Sequence, residues 1–321
     1  MAERPDLDYA VPILQRELAG RRIASVRVKK PVVLRLALPG TPADLLVGRR
    51  FGPVSRRAHF AIFELGGGEA PGSQAPADLV VAPMLAGRFA LATAGERAPG
   101  DLAVVLALDD GRELRYRDDV QMGKVYVIPH GEARLVPGLE RIGIDVLDPA
   151  LFTLERFSAL ARSRRDQAKV FLMDKSALDA LGNAYADEVL FAAMIHPKSW
   201  VKALGDEELG RLHRAIPDVL SRAAAEIAAR KPPIDEKLRD FLSVRGRHRQ
   251  PCPRCGTPIR TAGVHGHDAY FCPQCQPETR KSAIVSWDKL GRTEGAAASD
   301  GAATGDGARK VKAPGATRRR R

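Results

Sequence analysis

PCPRCGTPIRTAGVHGHDAYFCPQCQ, residues 251–276, holds every cysteine of the chain: Cys252 and Cys255 in one Cys-x-x-Cys turn, Cys272 and Cys275 in a second, sixteen residues later. Each such turn brings two thiolates together, and two turns complete a tetrahedral shell suited to zinc. Four thiolates leave no position for water, so the expected metal is structural rather than catalytic. Two readings compete with it: four unrelated buried thiols, and a redox pair. The redox reading lacks the βαβ context that such a pair occupies.

Upstream of the cysteines, three stretches carry apolar residues at the spacing of a helix face: FTLERFSALARS (152–163), KSALDALGNAYADEVLFAAMI (175–195) and DEELGRLHRAIPDVLSRAAAEIAARK (206–231). Gly182-Asn183 interrupts the second, which reads as two helices joined by a tight turn, and Pro232-Pro233 stops the third. Before Asp148 the pattern changes to short apolar runs broken by Gly and Pro: IASVRV (23–28), VVLRLAL (32–38), HFAIFEL (59–65), DLVVAPML (78–85), DLAVVLALDDG (101–111) and KVYVIP (124–129). Their length and branched residues predict strands of an antiparallel sandwich or barrel reaching to about residue 138. Gly66 to Asp78 reads as a loop, and Tyr9 to Leu18 as a first helix with Pro12 near its start.

The 321 residues carry a formal net charge of +12 with 45% hydrophobic residues, which points to a globular protein with a polyanionic partner. Beyond residue 290 the chain is rich in Gly and Ala and ends in Arg318, Arg319, Arg320 and Arg321. That tail has eight Lys/Arg against three Asp/Glu and is expected to be disordered, adding non-specific phosphate affinity. No run of about 18 apolar residues occurs and the N-terminus lacks a secretory pattern, so the expected location is cytoplasmic, at the nucleoid, with no membrane partner.

These parts, in this order, resemble the formamidopyrimidine-DNA glycosylase/endonuclease VIII family across nearly all of residues 1 to 280. MAERPDLDYAVPILQRELAG is similar to the family's opening segment, GNAYADE to the turn of its helix–two-turn–helix, and GRHRQPCPRCGTPI with YFCPQCQ to its zinc finger. Pro5-Asp6-Leu7, Pro31 to Arg35 (PVVLR) and Met84 to Arg88 (MLAGR) resemble a divergent branch. The resemblance implies an α+β multidomain fold. Its parts would be an N-terminal antiparallel β-sandwich with an N-terminal helix (1–145), a helix–two-turn–helix domain (146–245), a four-cysteine zinc finger (246–280) and a basic tail (281–321). It also implies a monomer that clamps double-stranded damaged DNA, flips a nucleotide out of the stack, releases the base and nicks the abasic site through a Schiff base on the N-terminal amine.

Carried over by position, the resemblance puts Ala2 where the family has its proline nucleophile, and Glu3 on the catalytic acid. His59 stands where the family has a lysine, and His267 where it has a phosphate-gripping arginine. Lys169 and Asn183 fall on phosphate contacts. Leu85 falls on an apolar wedge, although a leucine in an apolar run also reads as core. Val120-Gln121-Met122 departs from the family's Arg and Phe wedge. Because of these departures, a second reading keeps the DNA binding and drops the chemistry. A third, a zinc-ribbon protein acting on RNA, leaves the N-terminal match unused.

Overall fold

The computed structural model describes residues 3–68, 75–179 and 181–278. Ala2, part of the 66–78 loop and the basic tail lie outside the described residues.

Helix α1 (Arg4–Leu18) starts earlier than the sequence predicts, so Pro12 is interior rather than near its start. Pro5 occupies the first turn, and the Asp6 carboxylate accepts the free N–H of Glu3 at 2.8 Å. Leu7, Val11, Leu14 and Leu18 make one buried stripe facing the sandwich. Burying four such side chains contributes roughly 6–12 kcal/mol, more than the ~3 kcal/mol that an interior proline costs.

Among the described residues, nine strands follow in two sheets. They are β1 (Ile23–Val28), β2 (Leu34–Leu36), β3 (Phe51–Arg57), β4 (Phe60–Leu65), β5 (Ala77–Ala82), β6 (Arg88–Thr93), β7 (Leu102–Leu108), β8 (Arg112–Arg117) and β9 (Lys124–Pro129). A short helix, α2 (Pro42–Leu46), lies between β2 and β3. One sheet has the order β1-β7-β8-β6 and the other β2-β9-β5-β4-β3; every pairing is antiparallel except β2 with β9. The apolar run at β5 arises because both of its faces are buried. Leu79 and Val81 enter the core with Phe51, Phe63 and Phe89, while Val80 and Ala82 pack with Phe60, Val136 and Leu139. Strands β3, β6 and β8 are not among those the apolar runs predict. In β3 the register shifts between Phe51 and Val54 around Gly52-Pro53, and the strand lies at a sheet edge, where proline is tolerated. In β8 (RELRYR) the charged side chains obscure the pattern, because Glu113 and Arg115 are buried as a pair 2.7 Å apart.

The helical part holds α3 (Leu154–Ser163), α4 (Ala168–Met173), α5 (Asn183–Ala193) and α6 (Asp206–Arg230). Residues 175–179 do not form the helix that their spacing predicts. Asp174 closes a turn by accepting the Ser176 N–H at 2.9 Å, and the backbone then pairs with Gly143-Ile144, Asp179 N donating to Ile144 O at 2.8 Å. The apolar side chains Ala177, Leu178 and Leu181 enter the same core they would have reached as a helix. The partner helix is α4, and turns connect it to α5. Strands β10 (Arg260–Val264) and β11 (His267–Phe271) form the terminal hairpin. Among the described residues no helix is long and apolar enough to cross a membrane.

Candidate functional site

Glu3 is separated from Gly182 by most of the chain, yet its carboxylate lies on the N-terminus of α5. Oε2 accepts the N–H groups of Gly182 and Tyr185 at 3.1 Å each, and Oε1 accepts that of Ala184 at 2.9 Å. A helix N-terminus offers unpaired donors, and here a side chain remote in sequence takes three of them. Gly182 is required by space: a Cβ there would sit 2.3 Å from Glu3 Cδ.

An ion cluster holds α1 in place. Arg4 pairs with Asp145, with Asp8 at 3.2 Å and with Asp179 at 3.5 Å; Arg56 reaches Asp8 at 2.8 Å and Asp179 at 3.2 Å. Arg239 grips Asp6 at 2.6 Å, and Tyr9 donates to Pro232 O at 2.8 Å. The N-terminal helix is thereby tied to β3, to the turns before α5 and to the segment after α6.

Lys175 lies near Glu3, and His59 lies near Lys175. Lys175 Nζ donates to the carbonyl of Leu181, the other end of the peptide whose N–H Glu3 accepts. Burial pushes Lys175 down to about 8, against the pull of Glu3, Asp179 and Asp174. Nothing in the sequence marked this lysine. His59 lies in the two-residue turn between β3 and β4, against the Phe60 ring at 4.1 Å, with Nδ1 buried and unbonded. Burial, and then the nearby Lys175 charge, push its pKa from 6.5 to about 4, so at neutral pH it carries no charge. Neutral His59 therefore does not supply the charge that a lysine at this position would; cations near it are Lys175 and Arg56, whose guanidinium donates to Ala58 O at 2.7 Å.

A pH effect follows from His59. Its folded pKa lies below its unfolded one, so its contribution to stability is present above about pH 6.5 and is lost as pH falls towards about 4. A shift of this size corresponds to about 3 kcal/mol. Urea unfolding of wild type and His59→Gln at pH 7.5 and 4.5 should show the variant losing about 2–3 kcal/mol less on acidification. Equal losses would mean that His59 titrates normally in the fold.

The residues expected to touch phosphate are arranged differently from the expectation. Lys169 is fully buried and does not face solvent. Its Nζ is committed to Asp187 at 2.5 Å, Asp268 O at 2.7 Å and Asn183 O at 3.3 Å, joining α4, α5 and the hairpin. It is a strut between these elements. Asn183 opens α5, and its amide donates to Asp268 Oδ1 at 2.8 Å. Arg245, missed in the sequence, pairs with Asp187 at 3.0 Å and Asp268 at 3.1 Å and lies over the Tyr270 ring at 4.8 Å. His267 is exposed as the first residue of β11; the hairpin tip is His265-Gly266, both at positive φ.

Leu85 is 57% exposed on the loop before β6, which removes the core reading. Val120 and Met122 are exposed on the loop before β9. Both loops pack on the Tyr116 hydroxyl so closely that a Cβ at Gly87 or Gly123 would sit 2.3 or 1.8 Å from it. The three apolar side chains thus project from two adjoining loops.

The four cysteine sulfurs lie within 4.8 Å of one another, with Cys252 and Cys275 3.9 Å apart and Cys255 and Cys272 3.5 Å apart. A tetrahedral zinc with Zn–S of about 2.3 Å needs sulfurs roughly 3.8 Å apart, so the donor set fits. Arg254 N and Cys275 N point at Cys252 Sγ and Cys272 Sγ, each at 3.4 Å. Buried Gln276 accepts from Cys272 N at 3.0 Å and donates to Ile195 O at 2.8 Å, which fastens the second knuckle to the residues after α5. The four cysteines hold a structural zinc.

Comparison with known proteins matches this layout. The family model for the formamidopyrimidine-DNA glycosylase N-terminal domain matches residues 1–125, that for the formamidopyrimidine-DNA glycosylase H2TH domain matches 142–231, and that for the zinc finger found in FPG and IleRS matches 249–277. The formamidopyrimidine-DNA glycosylase of Symbiobacterium thermophilum is 34% identical over 86% of this chain and 90% of its own length; that of Heliobacterium modesticaldum is 33% identical over 86% and 100%. Among solved structures, the MutM (Fpg) protein of Thermus thermophilus is 29% identical, covers 87% of this chain and 100% of its own, and superposes with a TM-score of 0.73. The Lactococcus lactis Fpg bound to DNA containing an oxidised pyrimidine is 25% identical over 86% and 100%, with a TM-score of 0.75.

Proposed function

The chain belongs to the formamidopyrimidine-DNA glycosylase family, DNA N-glycosylases of base-excision repair, and on that premise we propose that it excises an oxidised base from duplex DNA and nicks the resulting abasic site through the amine of Ala2. The observation that carries this reading is the seat of Glu3. Glu3, the residue that follows Ala2 in the chain, sits on the turn that begins α5, which supports a site built around that turn.

In this reading the α-amine, with a pKa of about 7.7–8.0, is partly neutral at physiological pH and attacks C1′. The C1′–N bond to the base breaks as the N–C1′ bond forms and the base takes up a proton; the C1′–O4′ bond then opens as Glu3 delivers a proton to O4′, leaving the amine joined to C1′ as an iminium. The iminium then acidifies C2′–H, and its loss expels the 3′ phosphate. Leu85, Val120 and Met122 fill the space left by the flipped nucleotide. Residues 1–145 carry the chemistry, and 146–245 with the finger at 246–280 grip the duplex.

Borohydride reduction on duplex DNA with an abasic site should trap one covalent adduct, and peptide mass mapping should place it on Ala2. Mapping to Lys175 would transfer the nucleophile to that amine, whose lowered basicity suits imine formation. No adduct and no nicking on any abasic or oxidised duplex would overturn the enzyme reading in favour of DNA binding alone.

A further inference from the structure

Asn183, Arg245, Lys169 and Asp187 converge where α5 begins under the zinc hairpin. Without the hairpin this group has two cations, one carboxylate and an outward amide donor. It is an incomplete set whose missing partner is an anion. The chain supplies that anion itself: the Asp268 carboxylate takes the Asn183 amide at 2.8 Å and the Arg245 guanidinium at 3.1 Å. Both donors are of the kind that contact phosphate oxygens, and the carboxylate offers the same two-oxygen face that a phosphate would. Asp268 is also about half exposed, so an incoming anion can reach and replace it, whereas Asp187 beneath it is fully buried.

We propose that Asp268 is a built-in phosphate mimic: it occupies a seat for a DNA backbone phosphate formed by Asn183 and Arg245, and must be displaced before the duplex is gripped there. This rests on the reading of the chain as a duplex-DNA enzyme. Displacement exchanges one anion for another, so the cluster never holds an unpaired buried cation. Asp268 sets the strength of the grip, and Lys169, bonded to the backbone carbonyl of Asp268 and not its carboxylate, keeps the hairpin in place throughout.

The test is fluorescence anisotropy of full-length, zinc-loaded protein on two duplexes, one undamaged and one with a tetrahydrofuran abasic analogue, over a range of KCl. Asp268→Ala should bind both duplexes about tenfold more tightly at low salt, by a similar factor, because backbone contacts carry no base information. The plot of log affinity against log salt should steepen by about 0.9, the value for one added phosphate contact. Asn183→Ala in the Asp268→Ala background should abolish the gain. Asp268→Asn, which keeps the size and one acceptor oxygen, should also tighten binding and replaces the alanine variant if that one loses zinc. Unchanged or weaker binding with an unchanged salt slope in a zinc-loaded variant would overturn the proposal and make Asp268 a hairpin strut. Wild type that binds neither duplex at any salt would overturn the DNA reading itself, a different result.

Discussion

Glu3→Gln is expected to lower the single-turnover rate of base excision by about 10²–10⁴-fold, the usual worth of a positioned acid or base, while affinity for an abasic-analogue duplex stays within about threefold. The structure makes this a demanding test, because Glu3 also has a purely architectural task. Its two oxygens gather three backbone N–H groups at the start of α5. Glutamine keeps one acceptor oxygen and places an NH2 group where another N–H already points. The variant should therefore lose about 1–3 kcal/mol of stability, the cost of leaving a buried donor unsatisfied. Rates must accordingly be compared per folded molecule, well below the melting temperature of the variant. Excision within fivefold of wild type under those conditions would reduce Glu3 to a helix cap and leave the chemistry without an acid. Gly182 belongs to the same argument, since any side chain there would push the carboxylate off its donors.

Removing zinc should have the larger effect on binding. Stripping the metal with a chelator, or changing Cys272→Ser, is expected to release one zinc per chain and weaken binding to any duplex at least 100-fold, with most of the helical circular dichroism kept. The apolar core of the finger is small. Its core is Phe191, Val244, Cys252, Ile259 and Cys272, and two of those five are ligands. A two-stranded hairpin of five-residue strands is marginal alone, whereas zinc binding supplies about 10–16 kcal/mol in finger peptides. Loss of the hairpin would also remove Asp268 from Lys169, Asn183 and Arg245. Zinc-free protein that binds with undiminished affinity would show that the sandwich and helices grip DNA without the finger.

Local rules were enough for some elements. The cysteine spacing, the 25-residue helix α6 and the Gly182-Asn183 break are each governed by neighbours in the chain, and each stands where it was expected. The predictions that failed did so where tertiary contacts outweighed spacing. Residues 175–179 lie in a stretch of helical spacing, but the Asp174 turn and the pairing with Gly143-Ile144 bury Ala177 and Leu178 without a helix. Strands β3 and β8 escape the sequence pattern because a proline at a bulge in one and a buried charge pair in the other break the alternation that identifies a strand. Lys169 has the sequence of a surface phosphate ligand and the environment of a core cation, because Asp187, Asn183 O and Asp268 O take all three of its protons.

The four cysteines are what the sequence determines alone: two short turns with fixed spacing leave a metal few other places to go, and strand-like runs before Asp148 with helical spacing after it divide the chain into a β part and a helical part. The tertiary structure decided which groups meet. It set Glu3 on α5, placed Lys175 beside Glu3 and His59, and put Asp268 in the grasp of Asn183 and Arg245. Charged and polar side chains act over a few ångströms, and their burial sets their strength. Both depend on residues far apart in the chain, and no local pattern encodes that proximity.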